Sequence, residues 1–282
     1  MYRLWIENEN NKIMELTNST SFIVTDVDGL LPPDTTINSV EAVNKDGSIY
    51  NSSKVNNRPI NITILPQHPV EENRQKLYEF FKVKKAVTIY FKNKNRDVKI
   101  TGRLQKFDGS LFAQTQTLTL EILCNDPYFK DKDNSTQNMS QIIDNFEFPF
   151  AIEEEGKEFS YIDKVITKVI ENNGDVEAGL IITLRAEGEV VDPIIYDVDT
   201  REKFGLNFTM QKGDLIQINT NRGNKKVELV RNNVTTNIIN SIMKGNKWLE
   251  LKNGDNLFTY DCKSGAEHLY ISFCYANLYE GV

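Results

Sequence analysis

The chain has 282 residues, 39% of them hydrophobic and 26% charged, with a formal net charge of −7. A chain of this length buries roughly 70–75% of the surface it exposes when unfolded, which suits two ordinary cores, and its composition excludes an intrinsically disordered polymer. No stretch approaches the roughly 18 consecutive apolar residues of a membrane helix, and MYRLWIENEN lacks an apolar signal core behind a basic cap, so a protein made and kept in a cytoplasm is expected.

In chain order, the first half reads as strands with one helix. YRLWIE sets Leu4 and Ile6 on one face and Arg3 and Trp5 on the other. Lys45–Gly47 makes a hairpin turn, because Gly tolerates the positive φ of tight hairpins. RPINITIL alternates Ile60, Ile62 and Ile64 with Asn61 and Thr63. PVEENRQKLYEFFKVKK breaks that alternation: Leu77, Tyr78 and Phe81 fall at helical spacing, with Glu71 and Glu72 in the first turn and Lys82, Lys84 and Lys85 at the end. Strand alternation resumes with Val87, Ile89 and Phe91, turns over residues 93–96, and is clearest in TLTLEILC, which places Leu118, Leu120, Ile122 and Cys124 on one face. Cys124 is thereby expected in a core, and the half reads as an antiparallel β-sandwich with a helix laid on it.

After Asp126–Phe129 the periodicity lapses into KDKDNSTQNMSQ and the acidic run Glu153, Glu154 and Glu155, which places a domain boundary near residue 130. The predicted domains are residues 1–130 and 131–282. The second strings short strands at regular intervals, GLIITLRAEG, DLIQINT, KKVELVR, KWLELKNG and HLYISFCYANLY, which suggests a second β-sandwich of jelly-roll type. Residues 1–130 carry 17 basic against 15 acidic side chains and residues 131–282 carry 16 against 25, net charges of +2 and −9. The acidic half would repel a nucleic-acid backbone, and the basic spots at 82–85 and 92–96 read as solvated turns and helix ends.

No chemistry-bearing constellation emerges. His68 and His268 are the only histidines, and neither adjoins a nucleophile-elbow pattern. Cys262, His268 and Cys274 recur at six-residue intervals, but zinc ligands come as close pairs in turns. Three cysteines, Cys124, Cys262 and Cys274, specify no disulfide framework. The glycines fall singly at turns and form no phosphate-binding loop. No catalytic, cofactor-binding or metal-ligating residue is assigned, and no enzyme is expected. Trp5 and Trp248 each lie on the nominally polar face of a strand, where a ring serves as a sugar-stacking platform, a subunit contact or ordinary cover within its own domain.

Six stretches in order resemble the distal tail protein (Dit) family of siphophages, also called the phage tail family: the early strand pair with Gly29–Pro33, Asn57–Ile64, Asn125–Phe129, Asn172–Leu184 with the following Asp192–Ile195, Gly213–Leu229, and Lys247–Tyr260, with YANLYEGV closing the chain. Their turn chemistry, Gly213–Asp214, Asn221–Gly223 and Asn253–Asp255, specifies a scaffold rather than a reaction. The resemblance implies an N-terminal belt domain forming a homo-hexameric ring at the phage tail tip (baseplate), and a C-terminal galectin-like sandwich without an inserted carbohydrate-binding module. It further implies a structural virion protein whose partners are the major tail tube protein, the tape measure protein and the tail-associated lysin or fibre proteins, with no cofactor, no membrane and no specific nucleic-acid binding. The alternative is a lectin-like, carbohydrate-binding sandwich that contributes to host-surface recognition, with Trp248 as the stacking ring.

Overall fold

The computed structural model describes residues 2–41, 46–144, 160–164 and 167–282. Among these residues the fold is mainly β with one α-helix. Two compact units make up the chain: Met1–Lys132 together with Leu278–Val282, and Asp133–Asn277.

The first unit contains β1 (Arg3–Asn8), β2 (Ile13–Glu15), β3 (Phe22–Asp28), β4 (Thr35–Glu41), β5 (Ser48–Val55), β6 (Arg58–Pro66), α1 (Val70–Phe80), β7 (Ala86–Lys92), β8 (Asp97–Gly109), β9 (Leu118–Cys124) and β10 (Phe129–Asp131). Its main sheet is antiparallel in the order β2-β1-β7-β8-β9-β6-β3. The period-2 pattern decides which side faces in: Ile60, Ile62 and Ile64 of β6, Val87, Ile89 and Phe91 of β7, and Leu118, Leu120, Ile122 and Cys124 of β9 are all buried. They join Leu4 of β1, Phe22 of β3, and Leu77 and Phe81 of the helix region in one hydrophobic cluster. Strands from both ends of the sheet feed the same cluster, so the sheet curls around its own apolar face. Register shifts at Val24/Asp26 and Leu104/Lys106 help it bend.

The helix ends at Phe80, a turn earlier than its lysines suggest. Lys82, Lys84 and Lys85 form the reversal into β7, where Lys84 takes a φ of 70° and donates its N–H to the Leu104 carbonyl. That tertiary hydrogen bond outcompetes another helical turn.

The second unit contains β11 (Ser135–Asn138), β12 (Ser140–Asp144), β13 (Ser160–Lys164), β14 (Thr167–Asn172), β15 (Leu180–Ala186), β16 (Val190–Val191), β17 (Ile194–Asp197), β18 (Lys203–Gly205), β19 (Thr209–Met210), β20 (Leu215–Asn219), β21 (Lys226–Arg231), β22 (Val234–Asn237), β23 (Gly254–Asp261) and β24 (Leu269–Tyr275). Two antiparallel sheets, β11-β24-β15-β20-β21-β22 and β14-β23-β17-β18, make a sandwich. Phe258 of β23 and Phe273 of β24, both fully buried, stack across it with ring centroids 5.2 Å apart. At the β20 entry Gly213 takes a φ of 90°, and the buried Asp214 accepts a two-point ion pair from Arg231 and the Gln211 N–H. The Arg231 guanidinium holds the Asp214 carboxyl below the usual carboxylate range.

KWLELKNG is not a strand. Leu249 and Leu251 are buried as its alternation predicts, but only Leu251 pairs, in a single bridge with Ala178. The closing HLYISFCYANLY splits in two: β24 belongs to the second unit, and β25 (Leu278–Tyr279) pairs with β10 in the first. The second unit is thus inserted in sequence between two paired strands of the first, whereas periodicity ran the second domain to the C-terminus. The acidic run Glu153–Glu155 and most of the turn expected at Lys45–Gly47 lie outside the described residues; Gly47 itself has a φ of 88°.

Candidate assembly interface

The sequence-derived candidates for chemistry do not converge. Among the described residues no three His, Cys, Asp or Glu side chains are placed to share a metal ion. His68 is exposed ahead of α1, while Cys262 follows β23, His268 sits in a 3-10 turn and Cys274 lies in β24 on the face opposite buried Phe273. Cys124 is wholly buried, and burial pushes its thiol up to about 12.

Both tryptophans are half-buried. Trp5 stacks on Tyr90 at 5.3 Å with the Arg3 guanidinium 5.2 Å from its ring. Trp248 packs 5.0 Å from buried Phe204, with the Lys225 ammonium 5.7 Å away. Each ring covers its own unit first.

The surface that lacks cover is elsewhere. β4 and β5 pair with each other antiparallel and with no other strand among the described residues. Fourteen of their side chains are exposed and only Val55 is partly covered. Ile37, Val40, Ile49 and Tyr50 are 65%, 54%, 62% and 62% exposed. The pairing registers Val40 with Ile49 and Ser39 with Tyr50. Val40 and Ile49 therefore share one face, and Ile37 and Tyr50 the other. Polar pairs reinforce the ribbon, Asn38 to Ser52 at 3.1 Å and Tyr50 to Ser53 at 2.9 Å. The parity of TTINSVE and SIYNSSKV holds a signal of its own: apolar residues on both faces among Ser, Thr and Asn describe a ribbon without its own core.

The base of this hairpin is rigid. Pro32 and Pro33 fix an extended approach, and Asn56 N–H to the Asp34 carbonyl closes the ribbon at 2.9 Å. Gly29 has a φ of 86°, and a Cβ there would lie 2.2 Å from the Pro59 carbonyl oxygen. Beside it Arg58, 2% exposed, donates to the carbonyls of Gly29, Leu31, Pro127 and Glu280 at 2.5–2.7 Å and lies 4.6 Å over the Phe129 ring. Desolvation lowers its pKa from the ordinary value, yet a guanidinium stays charged at neutral pH. Three separated segments, the hairpin entry, the exit to the second unit and the C-terminus, are held by one side chain. No local pattern around Arg58 discloses this, because its partners lie up to 222 positions away.

A groove of about 520 Å3 runs beside that base, between β3 and the start of β1. Leu4, Val24, Val27, Leu30, Phe91 and Val282 give it an apolar lining. β3 is the outermost strand there and, among the described residues, pairs with β6 alone.

The first unit matches the phage tail protein RIFT-related domain over residues 11–124. The second matches the C-terminal domain of the siphovirus-type tail component over residues 173–276. No curated protein sequence matches. Among solved structures, the chain is similar to the Dit (gp 19.1) protein of phage SPP1, described as a paradigm of the hub adsorption apparatus of phages infecting Gram-positive bacteria, with a TM-score of 0.68 at 10% identity over 98% of both chains. Chains of the phage P2 baseplate in its activated conformation match over 100% of both chains at 11% identity, with TM-scores of 0.56 for the calcium form and 0.54 for the strontium form. Two β units carrying these domains define a structural component of phage tails. Through the two models, which together span well over half of its length, the chain belongs to the siphophage distal tail (Dit) proteins.

Proposed function

We propose that the chain is a non-enzymatic hub of the tail tip, assembling in the host cytoplasm into a homo-hexameric ring that joins the tail tube to the tail-associated lysin or fibre module. Residues 1–130 supply the ring contacts. The observation that carries this reading is the uncovered hairpin β4–β5, whose four exposed apolar side chains and backbone edges meet no partner among the described residues. Near neutrality in this half, +2 against −9 in the rest, favours close packing of like subunits. A ring of identical chains needs a head-to-tail interface that closes, and a projecting element with a separate receiving surface meets that requirement. The lectin-like alternative has less support, because Trp248 is spent on Phe204.

Sedimentation velocity and negative-stain microscopy on the full chain test the proposal. A closed six-membered ring is the expected particle; a strict monomer at high concentration refutes it.

A further inference from the structure

We propose that Arg58 does more than hold the first unit together: it couples the strands through which the second unit is attached to the direction of the β4–β5 hairpin. The inference is independent of the ring reading, since every contact in it lies within one chain. The second unit is reached through β10 and left through β25. Arg58 Nε donates to the Pro127 carbonyl ahead of β10 at 2.6 Å, and Nη2 donates to the Glu280 carbonyl after β25 at 2.5 Å. Nη1 donates to the Gly29 and Leu31 carbonyls at 2.6 and 2.7 Å, where the chain enters the hairpin. The hairpin exit is tied to the same residue by the chain itself: Arg58 opens β6 just after Asn56, whose N–H closes the hairpin base. One planar group thus sets both ends of the ribbon and both attachments of the second unit.

A guanidinium cannot bend between its nitrogens, so a displaced carbonyl turns the whole fork and misaligns the remaining donors. Hydrogen bonds weaken steeply as they leave linearity. The stem has no room to compensate: Arg58 is 2% exposed, pairs with Cys124 across β6 and β9, and lies 4.6 Å over the Phe129 ring. Burial also keeps out the water that would replace a lost partner, so the four bonds form and fail together. A weaker contact runs beside them. Val282 N–H donates to the Leu30 carbonyl at 3.2 Å, and a Cβ on Gly281 would lie 3.3 Å from both that carbonyl oxygen and Pro32 Cδ. From there Pro32 and Pro33 carry the direction stiffly to Asp34, where the ribbon begins. A change in how β10 and β25 are held is therefore felt at the hairpin base, and by linkage a change at the hairpin is felt at β10 and β25.

The test is hydrogen exchange on the full-length chain, read at the Asn56 and Val282 amides and referred to the Ile62 amide of β6, which reports opening of the whole unit. Tyr279→Phe disturbs the β10–β25 pair by removing the hydrogen bond to Asp131, which Arg58 does not make. It is expected to speed Asn56 exchange at least about threefold when Arg58 is intact, and to leave it nearly unchanged beside Arg58→Lys, which keeps the charge but not the fork. Pro33→Gly, which loosens the hairpin entry, is expected to speed Val282 exchange with the same dependence on Arg58. A purely structural Arg58 would slow exchange at both sites but leave the effects of the paired substitutions additive. Additive effects overturn the coupling, whether or not the chain forms rings. So does a Tyr279→Phe chain whose Asn56 exchange is unaltered, a result that needs no Arg58 variant to fold.

Discussion

Arg58 donates to four carbonyl oxygens while buried against Phe129, so its loss strands acceptors that water cannot reach. Arg58→Met keeps the length and the apolar contact but provides no donor. It is expected to destabilise the first unit by about 3 kcal/mol, read as a lower first transition in thermal unfolding. Cys124 gives a pH signature. Its folded thiol is held protonated up to about 12 from an ordinary 9.0, so its contribution is whole below about pH 9 and is lost as the pH rises from 9 through 12, where only the unfolded chain ionises readily. At pH 8 its native thiolate fraction is depressed about a thousandfold, and alkylation is expected to spare Cys124 until denaturant is added, while the half-buried Cys262 and Cys274 react. Residue roles were legible where a period of two fixed them, as at Cys124 opposite Glu121. Arg58 was legible only as part of a family stretch, because its role depends on carbonyls distant in sequence.

At the scale of elements, alternation found the strands that bury one face, β6, β7, β9, β15, β20, β21 and β24, and helical spacing found α1. It failed at KWLELKNG, where alternate Leu side chains are buried from an irregular backbone. It also passed over β4 and β5, since a ribbon without a core has no buried face to announce. That same lack makes the ribbon dispensable to its own unit. Replacing residues 35–55 by a short link between Asp34 and Asn56, which already share a hydrogen bond, is expected to change the stability of the first unit by less than about 1 kcal/mol and to abolish ring formation. Calorimetry and sedimentation velocity on the same sample separate the two effects.

For the whole molecule, the first unit closes with the last five residues, a pairing that neither composition nor the lapse after Phe129 announces. Leu278 and Tyr279 are short, and their signal merges with the preceding strand. Tyr279 is buried, hydrogen-bonds Asp131 at 2.9 Å and lies 3.7 Å under the Arg96 guanidinium. A chain stopped at Lys132 is expected to lose about 3 kcal/mol or more relative to one in which Lys132 rejoins Leu278 through a two-residue turn; urea titration of the two checks this. The rejoining is short because β10 and β25 are antiparallel neighbours, with Lys130 opposite Leu278. That pairing also decides how the molecule carries load. Tension on the inserted unit enters through both strands at the same end, the geometry that peels a pair apart one hydrogen bond at a time. Arg58 grips the Pro127 carbonyl just ahead of β10 and the Glu280 carbonyl just past β25, so behind the peeling front both legs are anchored to a single cation.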